Sequence, residues 1–147
     1  MKAIVLDEYG GPEVLRPREV PEPVPGPDEV LVRVVATALN RADLLQRMGR
    51  YPPPSPHSAH EIPGLEFAGT VERAGERVTA ARPGDRVCGL LASGGYAEYV
   101  VTHERMLIPI PEGMTFEEAA AIPEVFLTAF DALFSQANLR MGEVVLV

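Results

Sequence analysis

Residues 36–69 read ATALNRADLLQRMGRYPPPSPHSAHEIPGLEFAG, and the order of signals within them decides the fold. An apolar run, Val30 to Leu39, feeds into this stretch and reads as a strand. Asn40 breaks the strand. Asp43 stands three positions later, an Asx-x-x-acid pattern that suits a helix N-terminus. Leu44, Leu45 and Met48 recur at helical spacing on one face. Gly49 is the stop signal. Tyr51 and Pro52 to Pro54 follow, a stiff segment that cannot continue a helix. Pro63-Gly64 turns the chain into another strand. The pattern is strand, short helix, rigid loop, strand, with polar side chains at the helix entry and an aromatic on the loop. Loops on a β scaffold are where binding groups usually sit.

Working outward, many short strands are predicted. Lys2 to Asp7 is a strand, Gly10-Gly11-Pro12 a turn, and Val14 to Val20 a second strand. Pro21 to Pro27 alternates proline with other residues and reads as extended loop. Asp28 to Leu39 is a long strand in which Val30, Val32 and Val34 alternate with Leu31, Arg33 and Val35. Leu65 to Ala74 carries Gly69 inside it, the mark of a bulge or a close backbone approach. Arg82 to Asp85 is a turn. Arg86 to Ala92, Tyr96 to Thr102 and Met106 to Ile110 are further strands. Short strands at near-regular spacing suggest a barrel or a sandwich. The character changes at Thr115, which forms a capping box with Glu118 ahead of a short helix, Phe116 to Ala121. Val125 to Gln136 reads as a helix with a broad apolar face of Phe126, Ala129, Phe130, Leu133 and Phe134. Glu143 to Val147 is a β-branched run resembling a buried parallel strand.

Several motifs stand together in this order: ALNRADL, GRYPPP, PGLEFAG, PGDRV, GGYAEYV, AAAIP and TAFDAL. The chain resembles, over its whole length, the zinc-independent quinone oxidoreductase (zeta-crystallin-like) branch of the medium-chain dehydrogenase/reductase superfamily. The resemblance implies a mainly β fold with short helices: a GroES-like, partly open β-barrel over 1–122, then the first helix and strand of a truncated Rossmann domain over 123–147. It implies NADPH as cofactor, and a homodimer or tetramer when full length. Asn40 would line the nicotinamide and substrate pocket, or serve simply as helix N-cap. Tyr51 would place its hydroxyl near the reduced substrate oxygen, or merely cover apolar surface beside Pro52. Thr128 would face the nicotinamide carboxamide. In the family the final strand runs into a glycine-rich turn that cradles the cofactor pyrophosphate. No G-x-G-x-x-G occurs in these 147 residues, so the nucleotide-binding half is expected to be cut off after its first strand.

Composition narrows the partners. A net charge of −8 disfavours nucleic acid and anionic membrane. The single cysteine, Cys88, excludes an internal disulfide framework and fits a reducing cytoplasm. Residues 1–20 hold no apolar signal core, and no stretch approaches transmembrane length. Zinc-dependent relatives place a Cys where this chain has Asn40 and a His where it has Leu65, so no metal is expected. Glu66 reads as a structural carboxylate and Cys88 as a small core residue. His57 and His60 could pair at i, i+3 but lack a third ligand, and read as solvated loop histidines or, for His60, as a residue near the substrate cleft. His103 reads as surface, Asp43 as a cap, and Arg41 as a surface or cleft-rim charge. Tyr96 and Tyr99 suit strand packing. No Ser-His-Asp or Cys-His arrangement is legible. Hydride transfer to a conjugated acceptor needs only a cofactor, orientation and a proton donor. Three readings follow: an NADPH-dependent quinone reductase, an enoyl or enone reductase of the same superfamily, and a non-enzymatic GroES-like binding module.

Overall fold

In the computed structural model, which describes residues 1–51 and 60–146, the apolar run before Asn40 is the middle of the molecule. The strands are β1 (Lys2–Leu6), β2 (Leu15–Glu19), β3 (Glu29–Ala36), β4 (Glu66–Ala74), β5 (Arg86–Leu90), β6 (Tyr99–His103) and β7 (Leu107–Pro109). The helices are α1 (Arg41–Arg47), α2 (Phe116–Ala120) and α3 (Pro123–Phe130), the last running on as a π-helix over Asp131–Gln136. Five strands form one antiparallel sheet in the order β6-β3-β4-β5-β7. It curls into a half-barrel, as expected for a GroES-like fold.

The curl has a legible cause. The β3–β4 register slips between Val34 and Ala36, next to Gly69. A Cβ on Gly69 would lie 2.2 Å from the Arg33 carbonyl oxygen. Only glycine permits that approach, and a bulge there bends the strand and increases its twist. Val30, Leu31 and Val32 are all completely buried, so early β3 is covered on both faces rather than alternating. Val30, Val32, Phe67, Val71, Val87 and Val100 form the main core. α2 packs Ala119 and Ala120 against Ala68, Cys88 and Ile110 on the other side.

The small β1–β2 sheet is tied to this barrel by backbone bonds from Ile4 to the Tyr96 carbonyl and from Leu6 to the Glu61 carbonyl, both 2.8 Å. Ala97 therefore bridges to Ala3 of β1, and β6 begins only at Tyr99. Among the described residues no helix is long and apolar enough to cross a membrane.

Two apolar faces turn outward, and one expected strand does not form. Leu44 and Met48 face outward, 46% and 44% exposed, while Asp43, Gln46 and Arg47 are the buried face of α1. The apolar spacing was real, but the inward side of α1 bonds to loops rather than to a core. The aromatic face of α3 is also exposed, Phe126 by 64% and Phe130 by 59%. Among the described residues Phe130 meets one other aromatic ring, the tilted ring of Phe134, at 5.0 Å between centroids. Residues 143–146 form no strand. A strand exists by pairing its backbone groups, and none of the described strands lies beside them. Val147 and residues 52–59, hence His57, lie outside the described residues.

Candidate functional site

The site grows from the entry of α1. Asn40 occupies the N-cap with extended backbone (φ −114°, ψ 158°). The Asp43 carboxylate accepts the Asn40 backbone N–H at 2.7 Å, half of a capping box. The Asn40 side chain faces the Asp43 N–H in return but makes no proper hydrogen bond to it. Its amide is engaged elsewhere: Nδ2 donates to Glu66 Oε1 at 2.7 Å.

Asp43 is 5% exposed, and a buried carboxylate needs partners. It has three. Oδ1 accepts the Gly64 N–H at 3.1 Å. Oδ2 accepts the Tyr96 hydroxyl at 2.8 Å as well as the Asn40 N–H. Burial, then the bond to Asp43 and the charges of Asp43 and Glu66, push the Tyr96 phenol up, so it remains a neutral donor. Further along α1, Gln46 donates to Glu61 at 3.0 Å, and the Arg47 guanidinium donates to the Gly10 carbonyl. Glu61 also accepts the Tyr9 hydroxyl. The helix thus pins three separate loops to the barrel wall.

The far end of α1 closes as a Schellman motif. Gly49 at φ +70° donates to the Gln46 carbonyl, and Arg50 to the Leu45 carbonyl, both at 2.8 Å. Tyr51 is therefore presented two residues beyond a fixed stop, 38% exposed.

Glu66 joins this entry to α3. It is 1% exposed, and both its oxygens are engaged. Oε1 takes Asn40, and Oε2 accepts the Glu124 backbone N–H at 2.9 Å in the first turn of α3. Pro123 opens α3, as suits a first turn whose other N–H groups seek outside acceptors. The Glu124 side chain is half-buried at the same place. Burial, then the charges of Glu66 and Asp43, push its carboxyl up. Thr128 lies four residues on, on the same side of α3, and is exposed.

Of the residues singled out from sequence, Asn40 and the start of α3 are brought together through Glu66, with Thr128 one turn further. Among the described residues no hydrogen bond joins Tyr51 to this network. Arg41 is exposed at the first position of α1. Cys88 pairs opposite Ala68 in the sheet; burial, then the Glu66 charge, push its thiol up. His103 accepts the Arg105 N–H at the surface. His60 lines a cleft of about 360 Å³ with Met1, Val20, Ile62, Ser93 and Tyr99. Among the described residues no three His, Cys, Asp or Glu side chains converge to hold a metal. Sequence reasoning missed Glu124 and the Tyr96–Asp43 bond. The available signal was Glu66 itself: an acid inside the apolar run LEFAG must be satisfied by something.

Three comparisons bear on this site. The family model described as alcohol dehydrogenase GroES-like domain matches residues 26–112. A quinone oxidoreductase of Mus musculus is 40% identical over 151 residues, covering all of this chain and 44% of that protein. Among solved structures, the human synaptic vesicle membrane protein VAT-1 homolog-like protein superposes with a TM-score of 0.89 at 39% identity, over 97% of this chain and 45% of that one. A quinone oxidoreductase of Escherichia coli complexed with NADPH gives 0.84 at 31% identity, over 95% and 42%. The chain spans less than half the length of these relatives.

Proposed function

The chain belongs to the alcohol dehydrogenase GroES-like family within the medium-chain dehydrogenase/reductase superfamily, and on that premise we propose that it is the substrate side of an NADPH-dependent quinone reductase. Residues 1–122 then form the substrate domain, and 123–147 open the nucleotide-binding half. The observation that carries this reading is the Asn40–Glu66–Glu124 chain of hydrogen bonds. It sets a polar, preorganised amide at the entry of α1, beside the first turn of α3.

The residues fit the nicotinamide end of such a cofactor. The Asn40 amide keeps a second N–H, and the Thr128 hydroxyl is exposed on α3; together they suit a ligand edge bearing a carboxamide. When bound, NADPH supplies a hydride. This chain supplies orientation and a proton. A quinone that gains a hydride gathers negative charge on a carbonyl oxygen, and donors already aimed there lower the barrier. Asn40 is one such donor. Tyr51, on its fixed stop after Gly49, is the proton donor. Asn40 and Leu65 occupy the positions where zinc-dependent relatives of this type carry Cys and His, which supports a zinc-independent reaction.

The test is a product assay on the full-length protein with NADPH, comparing quinones with enoyl thioesters. Quinone reduction at the higher kcat/KM supports the proposal. A preference for enoyl thioesters makes the protein an enoyl reductase, and turnover of neither makes it a binding module.

A further inference from the structure

We propose that Glu66 is a positioning residue that locks the Asn40 amide as a hydrogen-bond donor toward a carbonyl group of the bound ligand. The inference deepens the reading of the site as a hydride-transfer cleft and rests on it.

An asparagine amide has a donating and an accepting end, and free in a cleft it can present either. Here the choice is made by the neighbour. Glu66 is buried, and an ionised carboxylate only accepts. Its other oxygen is committed to the Glu124 backbone N–H at 2.9 Å, a donor that cannot invert. Only the NH₂ end of Asn40 can therefore face Glu66, as the 2.7 Å Nδ2–Oε1 contact shows. The Asn40 side-chain carbonyl is left toward α1, where the Asp43 N–H already donates to the Asn40 backbone carbonyl at 3.1 Å.

The planar NH₂ group has two hydrogens. One is used on Glu66. The other diverges from it by the trigonal geometry of the nitrogen and has no partner among the described residues. Because Asn40 is only half-buried, that hydrogen is what the side chain offers a ligand. The charge on Glu66 polarises the amide and strengthens this remaining donor. The complementary ligand group is an acceptor with no proton of its own, a carbonyl oxygen.

Glu66→Gln separates this role from a structural one. Glutamine has one oxygen and one NH₂ to offer to two donors. The backbone N–H keeps the oxygen, so the new NH₂ meets Asn40, whose amide must turn its carbonyl inward to answer it. Packing and the α3 contact survive; the donor presented to the ligand is inverted. Thermal stability of Glu66→Gln should stay close to wild type while kcat/KM for quinone falls about 10-fold or more, the scale of a mispositioned catalytic contact. Adding Asn40→Asp restores the pairing but presents only acceptors, so the double variant should recover no activity.

Wild-type kinetics in Glu66→Gln, activity lost only in step with stability, or recovery in the double variant would each overturn the inference. A second readout needs no turnover. In ¹⁵N-labelled protein one Asn40 side-chain amide proton should resonate downfield through its bond to the carboxylate, and Glu66→Gln should abolish that shift with the backbone spectrum retained. An Asn40 amide without the shift in wild type overturns the positioning claim. The shift present in a protein that reduces no carbonyl acceptor overturns the proposed function and with it the positioning role of Glu66 in that reaction.

Discussion

At the residue scale the chemistry of the cleft is set by how carboxylates are crowded and then satisfied. Asp43 and Glu66 are fully engaged by donors, but the Glu124 carboxyl is squeezed between burial and their two charges, which push it above its usual 4.5. The sign of its pH effect follows. Below 4.5 the group is protonated both folded and unfolded and changes nothing. As pH rises the unfolded chain ionises first, so the native state loses relative stability until its own carboxyl ionises at the higher value. Glu124→Gln should therefore leave Tm unchanged below pH 4.5 and raise it at pH 7, read by thermal denaturation across that range. A difference that does not vary with pH would assign the effect to packing. Tyr51 makes a kinetic prediction of its own. If its phenol donates to the developing oxyanion, Tyr51→Phe should lower kcat by roughly 10- to 100-fold. NADPH affinity should scarcely move. A rise in KM alone would mean that the phenol binds substrate without assisting the chemistry.

At the element scale α1 is the part that the sequence described best at its ends and worst along its length. Asp43 and Gly49 each have a local job that a short motif announces, and each does it, while Asn40 takes the N-cap position but gives its amide to Glu66. Which side of the helix faces in was not local. Leu44 and Met48 point outward because the loops around Gly10, residues 61–64 and Tyr96 come together beneath α1 and bring backbone groups and side chains that need donors and acceptors. No periodicity reports that. The helix should consequently depend on a carboxylate rather than on a leucine. Asp43→Ala leaves the Gly64 N–H, the Asn40 N–H and the Tyr96 hydroxyl without their acceptor, and should cost about 3 kcal/mol in urea unfolding. Leu44→Ala, on the exposed face, should cost well under about 1 kcal/mol. The reverse order would show that α1 is held by its apolar face after all. The half-barrel was legible for the same reason that the ends of α1 were. Alternation, turn residues and the bulge glycine Gly69 are local signals. The Glu66–Glu124 bond joins positions 58 residues apart, and only the fold brings them together.

At the scale of the whole molecule, the polar site and the apolar surface lie on the same outgoing helix. α3 is anchored by Glu66 at its first turn and then presents Phe126, Phe130 and Phe134 to solvent. Such a stripe is unusual on a lone soluble surface, and the relatives of this chain are more than twice its length. In dinucleotide sites the pyrophosphate is held by backbone N–H groups at a helix N-terminus behind a glycine-rich turn. The 147 residues contain no such turn. On the proposed reading Asn40 and Thr128 hold only the nicotinamide end, and two hydrogen bonds in water do not secure a ligand of that size. A protein consisting of residues 1–147 alone should therefore show no saturable NADPH binding in the micromolar range by nucleotide fluorescence, and no NADPH oxidation with quinones. Added quinone should not rescue binding, because the missing contacts are to phosphate. Saturation in that range would place the phosphate contacts within this half, and would move the cofactor site from the outgoing helix into the barrel.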